Sequence, residues 1–225
     1  MSELPGGVGI SQLSVYPQSG SPHMHLCCSE SYVVVDGLGE VQTLTLSGYQ
    51  ETPLQPGAVV WFRPGTIHRL INHGDLRIVV LMQNSGLPEA GDAVLTFPPE
   101  ILADRLAYTA AVTLAPTGVD SAYQRRELAV EGFETLRDAA VKGDFGPLRE
   151  FHEAAIRLVS PQLPAWRERW AAGAKRMADE TGRQIESLLL GEAPHLAQAE
   201  VFELAAPTEV GRRGMCGLLN TYLTN

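Results

Sequence analysis

The sequence predicts a β + α protein, a small antiparallel β-barrel followed by an α-helical region. Two observations carry that expectation. From about Gln12 to Phe97, β-branched and aromatic residues recur in short runs broken by Gly, Pro, Asn and Asp, as in strands joined by tight turns. After "FPPE" (97–100) the apolar residues move to helical spacing, with Leu148, Phe151, Ala155 and Leu158 forming one stripe opened by Pro147 in the first turn. The change of period divides the chain into a barrel over 1–97 and a helical extension over 98–225.

In the first half, "SYVVVD" (31–36) and "EVQTLTLS" (40–47) read as two strands of a hairpin joined by "GLG". "AVVWF" (58–62), "HRLIN" (68–72) and "LRIVVLM" (76–82) follow, separated by "RPGTI" and "HGD". Many short antiparallel strands with Gly/Pro turns imply a barrel or sandwich. In the second half, helices are expected over 121–141, over 163–190 as one long helix with a weak point at Gly182, and over 209–223. Trp166 and Trp170, four apart, read as a buried helix face or a subunit contact.

Bulk properties narrow the function classes. The 225 residues are 44% apolar and 19% charged, the balance of an ordinary globular chain. Acidic residues outnumber basic ones by 26 to 17, a net charge of -9, and no Lys/Arg stripe stands ready to neutralise phosphates, so nucleic acid is not an expected partner. No apolar run approaches the ~20 residues of a membrane span, and "MSELPGGVGISQLSV" lacks the basic flank and apolar core of a signal peptide. Adjacent Cys27 and Cys28 with a remote Cys216 suggest no disulfide framework, which fits a reducing, cytoplasmic setting.

The chemistry-bearing stretch is "SPHMHLCCSESYVVVDG" (21–37). Side chains alternate along a strand, so His23 and His25 point the same way and two imidazoles can converge on one ion. Glu30 lies an odd number of residues after His25, so "LCCS" must turn or bulge to bring its carboxylate to them from the next strand. Far along the chain, His68 follows a Pro-Gly turn at the mouth of a strand whose Leu70 and Asn72 share its side. Cys27 and Cys28 read as small turn residues and His73 as a solvent-facing one. His152 and His195 belong to the helical half, and Tyr32 and Gln42 line the interior only if their strands keep register with Glu30.

These segments resemble the two motifs of the cupin superfamily. The first, G(X)5HXH(X)3-4E(X)6G, is met by His23, His25, Glu30 and Gly37, and the second, G(X)5PXG(X)2H(X)3N, by Gly57, Gly65, His68 and Asn72. Gly20 stands closer to His23 than the first motif expects, and Arg63 occupies the proline position of the second; both departures concern loop shape. The resemblance covers roughly residues 10–97 and is to single-domain cupins with the conserved barrel, here bearing a C-terminal helical extension. It implies a double-stranded β-helix or jelly roll, with His23, His25, Glu30 and His68 holding one divalent ion inside the barrel.

Such a mixed N/O donor set suits Fe, Mn, Ni, Co or Zn without singling one out. The resemblance further implies a small-molecule ligand and a homodimer, and it allows dioxygenases, sugar isomerases or epimerases, decarboxylases and lyases, of which an enzyme of dioxygenase or sugar isomerase/epimerase type is the favoured expectation. The alternative is a non-catalytic metabolite-binding or sensing module.

Overall fold

The computed structural model describes residues 4–204 and 206–222. Eight strands precede the helices: β1 (Gly9–Val15), β2 (Gln18–Ser19), β3 (His23–His25), β4 (Glu30–Thr45), β5 (Gly48–Leu54), β6 (Val59–Phe62), β7 (Ile67–Met82) and β8 (Ala93–Leu95). The helices are α1 (Pro99–Leu102), α2 (Arg105–Val112), α3 (Asp120–Val141), α4 (Gly146–Val159), α5 (Leu163–Trp170) and α6 (Arg176–Leu189). Strands β9 (Glu209–Arg213) and β10 (Gly217–Thr221) complete the chain. The strands described form one sheet with the order β5-β4-β7-β1-β10-β9; β6 pairs with β4, β2 and β3 pair with β7, and β3 also pairs with β8. The β + α class expected from the sequence is therefore the observed one, with antiparallel pairing at each of these junctions.

Three local expectations are corrected. "GLG" does not turn the chain into a hairpin, because the flanking runs are one bent strand, β4, paired with β7 along its length through register shifts between Val34 and Gly39. Gly37 permits the bend: its φ is 76°, and a Cβ there would lie 2.3 Å from the Asp75 carbonyl oxygen. "HRLIN" and "LRIVVLM" are likewise one strand, β7. Asn72 supports its bend by donating to the Val15 carbonyl at 3.0 Å and accepting from the Gly74 amide at 3.0 Å.

The second correction concerns 163–190, where the break falls in a π-turn over Ala171–Lys175 between α5 and α6 and leaves Gly182 inside α6. Trp166 is core, 4% exposed with its indole donating to the Ala90 carbonyl at 3.0 Å, whereas Trp170 is half exposed. The third is the largest. Residues 209–223 were expected as helix, and Leu223 lies outside the described residues, but β9 and β10 form a strand pair and β10 joins the barrel beside β1, Leu13 opposite Leu219. Gly211, Gly214 and Gly217 each weigh against a helix by about 1 kcal/mol, and their sum outweighs the apolar spacing that suggested one. The region after residue 97 is thus helical to about residue 198 and then returns to the sheet.

Two buried clusters organise the molecule. One fills the barrel with Leu13, Tyr32, Val34, Val41, Leu70 and Ile78 among others. The other joins barrel residues Met24, Ile67 and Leu95 to the predicted stripe Leu148, Phe151, Ala155 and Leu158 of α4 and to Ala129 and Phe133 of α3. At this seam α3 lies against the chain just after β8, where the Thr96 hydroxyl donates to the Ala129 carbonyl at 2.7 Å. A Cβ on Gly132 would sit 2.0 Å from the Thr96 carbonyl oxygen, a backbone atom that cannot swing aside. Gly132→Ala is therefore expected to destabilise the protein by about 2 kcal/mol, the usual order for overpacking, despite the better helix propensity of alanine. A denaturant midpoint equal to or above wild type would contradict this packing.

Candidate metal centre

The barrel brings His23, His25, Glu30 and His68 together by register. His23 lies directly opposite His68 in the β3–β7 pairing, and His25, two residues on, opposes Ala93 of β8 and keeps the same face. The chain bends at Leu26–Ser29, and β4 then starts at Glu30, paired with Phe62 and Met82. All four side chains are buried, and one donor atom from each lies within 4.8 Å of the others. The Nε2 atoms of His23 and His68 are 3.1 Å apart, and Glu30 Oε2 is 3.1 Å from His68 Nε2 and 3.3 Å from His25 Nε2.

Hydrogen bonds on the far side of each ring settle which nitrogen faces inward. Nδ1 of His23 is 2.8 Å from the Ser21 carbonyl, and Nδ1 of His68 is 3.2 Å from the Thr66 carbonyl. A carbonyl only accepts, so each Nδ1 carries the proton. His25 Nδ1 donates in the same way to the Asp92 carboxylate at 3.0 Å. In the neutral rings this leaves three Nε2 lone pairs pointing at one another and at a carboxylate oxygen with no hydrogen-bond donor of its own. Four converging electron-pair donors in a buried site repel unless a cation sits among them. The donor chemistry and the orphaned Glu30 Oε2 both fit a divalent ion of the borderline class.

Protonation equilibria reflect the same crowding. Burial, followed by the neighbouring His68 and His25 rings, holds the His23 pKa well below the usual histidine value. For His25 burial acts in the same direction but is outweighed by the hydrogen bond to Asp92 and the adjacent Glu30 carboxylate, which raise it to about 9. Burial would raise Glu30, yet the adjacent His68 and His25 rings pull it well below the usual carboxylate range. Protons thus take the part of a cation at the His25 and Glu30 side of the cluster.

Asp92 was not singled out in the sequence. It is fully buried at the end of a π-turn over Pro88–Asp92, orients His25 through Oδ2 and accepts the Cys27 amide through Oδ1 at 2.7 Å. It thereby fixes both the ring and the bend that delivers Glu30. Nothing in "LPEAGDAV" marks it, since its partners lie more than 60 residues away.

Among the other candidates, Cys27 is exposed and Cys28 buried in that bend, both outside the cluster. Tyr32 is fully buried, its ring 6.4 Å from that of His68, while Gln42 bonds to Glu40 and Glu51 away from the cluster. His73 is half exposed beside Glu40, at 3.6 Å. His152 and His195 stand apart in the helical half. Among the described residues no helix is long and apolar enough to cross a membrane.

His23, His25 and Glu30 open onto a cavity of about 340 Å³, while His68 closes the cluster from behind. Its walls come from β1, β7 and, unexpectedly, from the C-terminal hairpin through Met215, Cys216 and Leu219. Arg125 of α3 also reaches it.

Residues 13–83 match the family model described as Cupin domain. No curated protein matches the chain. Among solved structures, a Klebsiella pneumoniae protein with a double-stranded β-helix domain is 18% identical over 36% of this chain and 70% of its own, with a TM-score of 0.32. A predicted oxalate decarboxylase from Thermotoga maritima is 21% identical over 33% of this chain and 64% of its own, with a TM-score of 0.29. The DMSP lyase DddQ from Ruegeria pomeroyi is 18% identical over 36% of this chain and 40% of its own, with a TM-score of 0.32. The chain thus spans less than two thirds of the Thermotoga and Ruegeria proteins. With both motifs placed on its strands and the family model matched across them, this chain carries a cupin domain over residues 13–83.

Proposed function

We propose that His23, His25, Glu30 and His68 hold one divalent transition metal, Fe, Mn, Ni, Co or Zn, and that the cavity beside them admits a small polar metabolite on which the protein acts as an enzyme. The observation that carries this reading is the convergence of three imidazole rings, each turned Nε2-inward, and one carboxylate within 4.8 Å of one another in a buried site. A metabolite pocket alone does not call for such a set, whose mutual repulsion costs stability until a cation is bound.

Each residue has a distinct part. Ser21 and Thr66 carbonyls hold the His23 and His68 rings with Nε2 inward, and Asp92 does the same for His25. Glu30 supplies the negative charge that offsets part of the ion's own. Phe62 packs against His68 with ring centroids 4.3 Å apart, shielding the cluster from water on that side. When bound, an ion with four protein donors and room for six supplies Lewis-acid or redox chemistry at two remaining positions. Dioxygenase and sugar isomerase or epimerase reactions both fall within that range.

Titration calorimetry of metal-depleted protein with Ni²⁺ or Zn²⁺ tests the reading. One site per chain is expected, with proton release on binding because the ligands must be deprotonated. No binding of either ion would overturn it.

The reading includes a homodimer. Val33 and Val59 oppose each other on the outer face of β4 and β6, with the neighbouring Trp61 69% exposed and Val35 53% exposed. Burying such apolar side chains against a second copy is favourable. Light scattering at micromolar concentration should give twice the chain mass; a monomer would remove the dimer from the account.

A further inference from the structure

The cavity beside the cluster is positively charged at its other walls, although the chain as a whole carries a net charge of -9. Arg125, Arg212 and Arg213 all line it, against the carboxylates of Glu30 and Glu89. Two of these groups are already engaged. Arg213 donates to the carbonyls of Ala115, Gly118 and Pro116, tying the hairpin to the loop before α3. Arg212 has Glu209 Oε2 at 3.4 Å.

Arg125 is different. It is only 7% exposed, and one of its terminal nitrogens donates to the Gly214 carbonyl at 2.6 Å. Its Nε is buried with no hydrogen-bond partner, and no carboxylate pairs with it among the described residues. A buried guanidinium without an anion is costly, and an anionic ligand in the cavity supplies the missing charge through a strong, charge-assisted hydrogen bond. Burial accordingly pulls its pKa down. Its relation to the cluster is set by the cavity itself, which Arg125 and the buried Cys216 line together with His23, His25 and Glu30. The guanidinium and the cluster therefore share one cavity.

We propose that Arg125, supported by Arg212 at the rim, is an anion-binding subsite of this cavity, so that the molecule presented to the metal is a small organic oxyanion carrying a carboxylate or a phosphate group. The assignment deepens the metal reading and rests on it only for the second anchor. The anionic end of the ligand pairs with the Arg125 guanidinium where it lines the cavity, and its other end is thereby directed toward His23, His25 and Glu30. Because Arg125 comes from α3 and Gly214 from the C-terminal hairpin, both lie outside the matched cupin domain. The selectivity of the cavity is then set by the parts of the chain that the domain does not supply.

The test titrates the full chain, with Co²⁺ supplied and again without metal, with malonate and separately with inorganic phosphate. Elemental analysis of the same samples reports the metal content. At least one probe should bind wild type, malonate identifying a carboxylate site and phosphate a phosphoryl one. Arg125→Gln should weaken that probe by about tenfold or more, the scale of a hydrogen bond to a charged group, while metal content stays at the wild-type level. Failure of both probes to bind wild type, or equal affinity in Arg125→Gln, would overturn the proposal.

Should Arg125→Gln lose its folded circular dichroism, Arg212→Gln decides. This change at the partly exposed rim should weaken the probe by about threefold, in keeping with a screened charge, and unchanged affinity would count as refutation. Wild type that takes up no cobalt yet binds the probe in an Arg125-dependent way would sink the metal reading and leave the anion subsite standing.

Discussion

His68→Ala is expected to abolish metal uptake while leaving the barrel folded. His68 is fully buried, sits opposite His23 in the β3–β7 register and is the one cluster member donated by a distant part of the sequence. Its removal takes away one of four donors and also the group that holds Glu30 Oε2 at 3.1 Å. Loss of a partner outside the ligand set typically costs 10- to 100-fold in metal affinity, so loss of a ligand should exceed about 100-fold. The fold should survive because Tyr32, Val34, Leu70 and Ile78 fill the barrel independently of the cluster. The space left by the imidazole should cost stability on the order of 2 kcal/mol, offset in the metal-free protein by relief of the 3.1 Å contact between ring nitrogens. Elemental analysis together with circular dichroism reads both effects; wild-type metal content in this variant would exclude His68 as a ligand.

Glu30→Gln is expected to reach a similar loss by another route. The substitution keeps the shape and leaves β4 paired with β6 and β7 from its first residue, but it removes the only negative charge among the four donors. A neutral amide in place of that charge weakens the attraction for a divalent cation in a buried site, where electrostatic interactions are least screened. Uptake should again fall by more than about 100-fold, with a spectrum close to wild type. Equal uptake would mean that Glu30 is a structural partner of His25 and His68 rather than a ligand.

How much of this was legible in the sequence depends on the range of the interactions involved. The shared face of His23 and His25 follows from alternation along a strand, and the bend before Glu30 from parity, both local rules that the structure bears out. The α4 stripe was legible for the same reason. The reading of "GLG" as a hairpin failed because glycine marks bends as well as turns, and only the pairing of both halves of β4 with β7 distinguishes them. Asp92 escaped because its value lies entirely in where folding places it, against His25 and Cys27. The C-terminal hairpin escaped because β10 finds its partner β1 some 200 residues earlier, as in the pairing of Ser11 with Thr221, and no local pattern reports such a contact. Its cost to the sequence reading was functional as well as architectural, since the hairpin supplies walls of the cavity.

The central claim is that four side chains of one barrel coordinate a single ion. The most direct measurement is anomalous diffraction from crystals of protein loaded with Zn²⁺ or Ni²⁺, recorded at the absorption edge of the metal. The account predicts one strong peak about 2.1 Å from Nε2 of His23, His25 and His68 and from a carboxylate oxygen of Glu30. A map with no peak among these residues, or with the ion held elsewhere, would contradict it.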